Sequence, residues 1–299
     1  MSDALAVDKR LVRRSFEQAA ATYDAAAVLQ NEVCRRMLAR LDYIKLEPAT
    51  ILDAGSGTGN AVAGLLARYS RARVIALDLA LAMARRARAR RPWPALSTVE
   101  GWRALFQRSG PRLAAVCGDI EQLPLASACA GMVWSNLAIQ WSNEPQRAFA
   151  EMHRVLAPGG LLLFSSFGPD TLKELRASFE SVDRHTHVHR FTDMHDVGDM
   201  LVACGFADPV MDMEVMTLTY ADVRELMRDL KAIGAHNVTR GRPAALAGKS
   251  LLAKVARNYE PARREGRLPA TFEVIYGHAW KPAPRVGPTG RPVIDIKPR

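Results

Sequence analysis

The chain has 299 residues, of which 48% are hydrophobic and 24% charged, and its formal net charge is +10 at pH 7. This composition excludes a disordered chain, and the length allows one large α/β domain or two small ones. The excess of basic residues indicates an acidic partner or a general affinity for polyanions.

The cysteines and the apolar segments indicate the cellular setting. The four cysteines are scattered and form no C-x-x-C pair, which disfavours a zinc site and a disulfide framework. The basic N-terminus is not followed by the apolar segment of a signal peptide, and no apolar run reaches the roughly 18 residues that span a membrane. We therefore expect a cytoplasmic protein without membrane contact.

The first 47 residues predict an N-terminal helical cap. Apolar residues at helical spacing indicate one helix over residues 8–22 and a second over residues 25–41, with an interruption at Tyr23 and Asp24. Such helices can cover a nucleotide-like site or simply pack against a sheet, and the pattern fits both. Pro48 ends this segment.

A glycine-rich stretch after the first predicted strand is the most informative part of the chain. Residues 50–52 are apolar or β-branched, glycines follow at positions 55, 57 and 59, and residues 61–67 predict a helix. Asn60 stands where a dinucleotide fingerprint needs glycine, and the Lys-Ser or Lys-Thr pair of a P-loop is absent. Alternate glycines allow a sharp turn and let a ligand approach backbone amides. Asp53, at the strand end, can face a ligand ammonium but would repel a pyrophosphate.

This stretch resembles motif I of the class I S-adenosylmethionine (SAM) methyltransferases. The resemblance implies a Rossmann-like α/β fold, with a mostly parallel seven-stranded sheet and helices on both faces. It also implies SAM as the cofactor, with the glycine loop passing beneath its methionine part. A purely structural glycine turn is the alternative.

Three later strand ends carry further polar residues that can complete such a site. Asp78, 23 residues beyond Gly55, can accept hydrogen bonds from ribose hydroxyls or begin the following helix, and both roles can coexist. Asp119 and the following isoleucine fit recognition of an adenine, and Asn136 falls where the substrate meets the methyl donor. We expect the acids to border one cavity at a single edge of the sheet. The predicted cofactor site consists of Asp53, Gly55, Ser56, Gly57, Gly59, Asp78, Leu79, Met83, Asp119, Ile120, Asn136 and Leu137.

The remaining chain predicts a methyltransferase domain over residues 48–281 and a flexible tail over residues 282–299. Within the domain, residues 92–112 read as an insertion and residues 158–160 as a tight turn before the fifth strand. Residues 209–220 and 271–280 predict strands, and residues 221–262 predict a helical insertion before the last of them.

Three alternating histidines at positions 185, 187 and 189 could line one face of a strand and bind a metal. No carboxylate or cysteine completes such a site in the sequence, and methyl transfer needs no metal. The sequence therefore predicts no metal site.

The C-terminal motifs select a family within this fold. Residues 16–20, 188–191, 205–209, 230–234 and 276–281 are similar to those of the malonyl-acyl-carrier-protein O-methyltransferases of biotin synthesis. The resemblance covers residues 8–282 and implies transfer of the SAM methyl group to the free carboxylate of a malonyl thioester on acyl carrier protein. That reaction starts pimeloyl assembly. The resemblance also implies that the partner is an acidic carrier protein. Malonyl-CoA is a further candidate, and no nucleic acid is expected.

The implied reaction needs orientation rather than proton transfer, because a malonyl carboxylate is already ionised near neutral pH. On this reading, Tyr23 contacts the methyl group and the substrate, and His189 and Arg190 hold the carboxylate. Arginines in the cap and at residues 85–91 match an acidic carrier, although they could also be a solvated basic face.

Three alternatives have other functions. A SAM-fold protein of the complex I assembly factor type would act on a protein subunit, and its mitochondrial members would carry a transit peptide. An RNA methyltransferase would explain the net charge but needs an aromatic and basic RNA-binding surface. A non-catalytic SAM-binding module would bind SAM without methylating any malonyl thioester.

Overall fold

The computed structural model of the chain describes residues 6–90, 112–183, 185–235, 237–239, 241–242 and 248–283. The predicted insertion at residues 92–112, except Arg112, and the predicted tail from residue 284 onwards lie outside the described residues.

A seven-stranded sheet with the order β3-β2-β1-β4-β5-β7-β6 forms the centre of the described fold. The first five strands are parallel, and β7 runs antiparallel to both β5 and β6. This arrangement confirms the predicted mostly parallel sheet. The strands are β1 (Thr50–Ala54), β2 (Arg73–Asp78), β3 (Leu113–Cys117), β4 (Ala130–Ser135), β5 (Leu156–Phe167), β6 (Ala207–Tyr220) and β7 (Leu268–Trp280).

Helices cover both faces of the sheet, because its central strands are apolar on both sides. Ile51 packs into a cluster with residues of α3 and α4, whereas the next residue, Leu52, packs with residues of α6 and α8 on the opposite face. The described helices are α1 (Lys9–Ala19), α2 (Tyr23–Ala26), α3 (Val28–Arg40), α4 (Asn60–Arg68), α5 (Leu81–Ala89), α6 (Pro145–Val155), α7 (Lys173–Glu180), α8 (Met194–Ala203), α9 (Val223–Ala232) and α10 (Lys249–Tyr259). Helices α9 and α10 lie between β6 and β7, within the range predicted as a helical insertion.

The cap, which consists of α1, α2 and α3, differs from its prediction at one point. The second predicted helix is divided at Ala27, whose ψ of 44° leaves the helical region. Tyr23 therefore begins the short helix α2 instead of interrupting the chain.

The predicted turn at residues 158–160 lies inside β5, which begins at Leu156. The register between β4 and β5 shifts between Ala130 and Met132, so the extra residues form an irregularity in the ladder instead of preceding the strand. Gly159 provides the positive φ, 76°, that this path requires.

The strand order positions the site. Strand β1 pairs with β2 on one side and with β4 on the other, so the crossover connections run in opposite directions from this point. Ligands of open α/β sheets bind at such a reversal, beside the carboxyl ends of the strands. Asp53, Asp78, Asp119 and Asn136 lie at or just beyond the ends of these strands.

Candidate active site

A cavity of about 500 Å³ lies between the cap and the carboxyl edge of the sheet. The cap contributes Phe16, Tyr23 and Gln30 to its wall, and the segment around α9 contributes Met227 and Leu230. The predicted site residues on this wall are Tyr23, Gly55, Gly57, Asp78, Leu79, Asp119, Ile120, Asn136, Leu137 and His189. The cap therefore covers the site.

The glycine loop is shaped by its backbone, and its amides bind protein acceptors. Gly55, Gly57 and Gly59 have φ angles of 81°, 52° and 85°, which L-residues other than glycine rarely adopt. The amides of Gly55 and Ser56 donate to the Leu77 carbonyl at 2.8 and 2.9 Å, and that of Gly57 donates to Asp78 Oδ2 at 2.8 Å. The expectation that these amides face a ligand is thus not met. The glycines instead bring the chain close to the cap and to the loop after β4.

Close packing explains why two of these glycines tolerate no side chain. A Cβ atom on Gly55 would lie 2.2 Å from the Cβ of Ala138, and one on Gly59 would lie 2.9 Å from the Cα of Ala87. A Cβ on Gly57 would lie 3.8 Å from the ring of Tyr23, in ordinary contact. The loop therefore holds Tyr23 against the floor of the cavity.

Asp78 binds the glycine loop and the start of α5 at once. Its Oδ2 accepts from the Gly57 amide, and its Oδ1 accepts from the Ala80 amide at 2.8 Å. Burial raises the pKa of Asp78 to about 6, although these two amide hydrogen bonds lower it. The carboxylate lies on the cavity wall, where the predicted ribose contact remains a prediction.

Asp53 lies behind the cavity wall rather than on it, with 2% of its surface exposed. Among the described residues, its Oδ2 atom has no hydrogen-bond partner. Burial and the nearby charge of Asp78 raise the pKa of Asp53 to about 8. A buried carboxyl with an unused oxygen is the group that a ligand ammonium would stabilise.

Asp119 carries an ion pair to the cap. Lys9 Nζ lies 2.9 Å from Asp119 Oδ1 and 3.3 Å from Glu121 Oε2. The Glu121 amide also donates to Oδ1, so the contacts within the described chain use this oxygen and leave Oδ2 for a ligand. The predicted adenine contact is compatible with this arrangement.

Two further carboxylates of the cap bind the glycine loop and the helix after β2. Glu17 accepts the amides of Leu81 and Ala82 at 2.7 and 3.0 Å and so caps the N-terminus of α5. Asp24 accepts the Thr58 hydroxyl and forms an ion pair with Arg90 at 2.9 Å. Arg90 is thereby engaged with the loop and the cap, which removes it from the basic face predicted for a carrier protein.

Five predicted site residues lie off the cavity wall: Asp53, Ser56, Gly59, Met83 and Arg190. Met83 is fully buried among Ala19, Ala20 and Ala80, so it joins α5 to the cap. Arg190 is exposed because its neighbours His189 and Phe191 turn towards the cavity. The structure therefore does not bring Arg190 to the place predicted for the substrate carboxylate.

Aromatic rings form much of the wall beyond the glycine loop. Phe16 and His189 each meet Trp141 edge to face, with ring centroids 5.2 Å apart. The Phe191 ring also meets that of Phe167 edge to face, with ring centroids 5.6 Å apart. This part of the cavity is apolar and excludes water from a bound group.

Two glutamines with unused acceptor atoms were not among the site residues predicted from the sequence. Gln30 and Gln140 line the cavity, and their Oε1 atoms are buried without a partner among the described residues. Gln30 lies on the apolar face of α3 with Val33, Cys34 and Met37, and a polar residue on such a face was the available signal. No signal in the sequence singled out Gln140.

Comparison with known proteins identifies the family. The sequence model of the family described as "Methyltransferase domain" matches residues 52–164. A malonyl-[acyl-carrier protein] O-methyltransferase of Gallionella capsiferriformans is 56% identical over 288 residues, which are 96% of each chain. One of Methylovorus sp. is 54% identical over 301 residues, 100% of this chain and 98% of the relative.

The chain belongs to the malonyl-[acyl-carrier protein] O-methyltransferase family.

Solved structures agree with this family assignment at the level of the fold. A SAM-dependent methyltransferase from Thermotoga maritima superposes with a TM-score of 0.51, at 16% identity, and the match covers 90% of this chain and 99% of that one. The class I SAM methyltransferase fold predicted from motif I is therefore confirmed.

The residues present fit SAM, the cofactor of this fold. Gln30 and Gln140 provide buried acceptor atoms on the cavity wall that have no protein partner in the described chain, and Asp53 provides another behind the wall; a ligand ammonium can use such acceptors. Asp78 and Asp119 provide further acceptors on the same wall for hydroxyl and amine donors.

None of the described helices of this family member is both long enough and apolar enough to cross a membrane.

Proposed function

We propose that the protein transfers the methyl group of SAM to the free carboxylate of a malonyl thioester on acyl carrier protein, the reaction that begins pimeloyl assembly in biotin synthesis. The observation that carries this proposal is the cavity under the cap, which joins the acidic strand ends Asp78 and Asp119 to an apolar, aromatic chamber. A methyl donor and an acyl group can meet in such a space. The names of the close relatives support the same substrate.

The chain's part in this reaction is binding, orientation and exclusion of water. When bound, SAM supplies an electrophilic methyl group on a sulfonium. Asp78 and Asp119 on the cavity wall would hold the donor, with Asp53 behind them, and the malonyl carboxylate would need no general base because it is already ionised. The apolar wall removes water from that carboxylate and so makes it a better nucleophile.

Tyr23 is the group that we assign to the carboxylate. It lies on the cavity wall against the glycine loop. Burial and the charges of Asp78 and Asp24 raise the pKa of Tyr23, so its hydroxyl stays protonated at neutral pH. A protonated hydroxyl orients a carboxylate by donating a hydrogen bond and leaves its charge available for attack. His189 remains a second candidate for this contact.

A basic surface on α1 and α5 supports an acidic carrier protein as the partner. The two helices pack together, and their arginines at positions 10, 13, 14, 85, 86 and 88 are exposed. Opposite charges of this kind raise the rate of association. Malonyl-CoA, which lacks the protein, would not use this surface fully. The four free cysteines support a cytoplasmic setting.

The proposal is tested by supplying SAM labelled in its methyl group together with malonyl-acyl carrier protein, malonyl-CoA or tRNA in parallel. We expect label on the malonyl carboxylate, with the carrier protein as the better substrate, and release of the label as methanol on mild alkaline hydrolysis. Label on tRNA alone, or SAM binding without transfer to either thioester, would contradict the proposal.

A further inference from the structure

His187 differs in its contacts from His185 and His189, the other two histidines of the sequence pattern. Residues 185–191 form no strand, so the three histidines do not share a strand face. His187 lines the cavity, and its ring stacks on that of Phe179 with centroids 3.8 Å apart and planes 10° apart. His185, two residues earlier, is exposed and lies off the cavity wall.

Asp183 fixes the orientation of the His187 ring. The Nε2 atom lies 2.8 Å from Asp183 Oδ1, which also accepts the His185 amide at 2.9 Å. Burial opposes ionisation of this carboxyl, but the hydrogen bonds from His185 and His187 together lower the pKa of Asp183. Because an ionised carboxylate only accepts, Nε2 carries the hydrogen, and in the neutral ring Nδ1 is left as an acceptor.

Two other polar side chains of the cavity wall, those of Thr171 and Asn237, are bound to the protein. The Thr171 hydroxyl donates to the Glu273 carbonyl and accepts the Glu273 amide, both at 3.1 Å. The Asn237 amide group donates to the Thr186 carbonyl, and its Oδ1 accepts from Thr239. Their apolar neighbours on the wall include Leu172, Leu175, Phe179, Val188 and Phe272. His187 thus places an acceptor in a wall where these polar groups are already engaged.

We propose that His187, held by Asp183 and Phe179, accepts a hydrogen bond from an amide N–H of the pantetheine arm that carries the malonyl group. This inference rests on the proposed function. A malonyl group itself has no hydrogen-bond donor once ionised, whereas its arm has two secondary amides linked by short apolar segments. Apolar neighbours with an acceptor at His187 match that alternation. His187 is then a substrate-binding residue, and Asp183 is a positioning residue that sets its tautomer.

The test is a cycle that combines enzyme variants with substrate analogues. Carrier protein is loaded with the ordinary malonyl arm or with arms in which each amide N–H in turn is replaced by an ester oxygen. We expect one replacement to lower kcat/KM of the unaltered enzyme about 5- to 10-fold, mainly through KM, since it removes one hydrogen bond. In His187→Phe, which keeps the ring stacked on Phe179, the same replacement should cost less than about 2-fold.

Two further variants separate binding from folding. Asp183→Leu removes the acceptor of the Nε2 hydrogen, so the ring is no longer held in one orientation and tautomer, and the variant should shift kcat/KM for the ordinary arm in the same direction as His187→Phe. His185→Phe, at the exposed neighbouring position, should behave as the unaltered enzyme. Calorimetric SAM binding, unchanged in each variant, reports that the fold is intact.

The outcomes distinguish this inference from the proposed function. Equal losses on ester replacement in the unaltered enzyme and in both His187→Phe and Asp183→Leu would overturn the role of His187. If neither ester replacement lowered kcat/KM of the unaltered enzyme, the role of His187 would be overturned as well. Failure of the unaltered enzyme to methylate the ordinary malonyl carrier would instead overturn the proposed function.

Discussion

Lys9 of the cap forms an ion pair with Asp119, the carboxylate beyond β3, at 2.9 Å. The pair joins the first helix of the chain to the sheet edge that holds the cofactor site. We therefore expect this contact to open when the cofactor exchanges.

Lys9→Met should speed the dissociation of SAM several-fold while changing stability little. The two side chains are 24% and 30% exposed, so the pair contributes less than about 1 kcal/mol to folding. Stopped-flow dissociation of a fluorescent SAM analogue measures the rate. Lys45→Met, at an exposed position outside the cavity wall, is the matched control. Equal dissociation rates in both variants would mean that the ion pair does not hold the cap closed.

Gly55→Ala should destabilise the protein by about 3 kcal/mol or more and abolish SAM binding. The new methyl group would lie 2.2 Å from Ala138 Cβ, and the φ of 81° adds backbone strain. Gly266→Ala is the control, since Gly266 has a similar φ of 76° but no atom within 4 Å of the added Cβ. It should cost only about 1 kcal/mol by chemical denaturation. Similar losses in the two variants would show that strain, not the clash, determines the requirement for glycine.

Asp53→Asn should flatten the pH dependence of stability in the absence of SAM. Burial and the charge of Asp78 raise the pKa of Asp53 to about 8, whereas an unfolded aspartate titrates near 3.9. Between about pH 4 and pH 8 the unfolded state has lost this proton and the folded state keeps it, so the group's contribution to stability falls as pH rises. From pH 5 to pH 8 the variant should lose less stability than the unaltered protein, by at least about 1.4 kcal/mol. Urea denaturation at the two pH values gives the comparison, and parallel curves would exclude a raised pKa.

Tyr23→Phe should lower kcat about 10- to 100-fold with little change in SAM affinity. The variant loses one hydrogen bond to a charged carboxylate, worth about 1.5–3 kcal/mol. Steady-state kinetics with malonyl-acyl carrier protein measure the loss, and calorimetry measures SAM binding. Tyr43→Phe, at a residue that is 91% exposed, is the control. Full activity in Tyr23→Phe would remove Tyr23 from the role assigned to it.

Reversing the charge of Arg85 and Arg88 together, both to glutamate, should raise KM for malonyl-acyl carrier protein at least about 5-fold, most strongly at low salt. KM for malonyl-CoA should change less, because no protein surface docks. The control, Arg71→Glu with Arg73→Glu, makes the same change of charge at the amino end of β2, at the sheet edge opposite the cavity. Equal effects of the two pairs would indicate a general effect of net charge instead of a docking surface.

The sheet edge could be predicted from the sequence because its signals are local. Buried parallel strands are short apolar runs, and Asp53 and Asp78 end two of them. The spacing of the glycines likewise reports a backbone path that needs no distant partner. These features do not depend on which distant residues pack against them.

The rest of the site depends on contacts between distant parts of the chain. Glu17 caps a helix 64 residues away, and the orientation of His189 and Phe191, with Arg190 outside, follows from where the cavity lies. The packing of Met83 against Ala19 and Ala20 could not be predicted for the same reason, because only the packing of α1 on α5 decides which face is buried. No local pattern encodes these relationships.

The capping of α5 by Glu17 bears on how the molecule folds. Two amides of α5 find their acceptor in the first helix of the chain, so a shortened protein beginning at Pro48 would leave both without it. We therefore expect the N-terminal helices to unfold together with the sheet in one cooperative transition, and truncation of residues 1–47 to yield an insoluble product instead of an open, constitutively accessible enzyme.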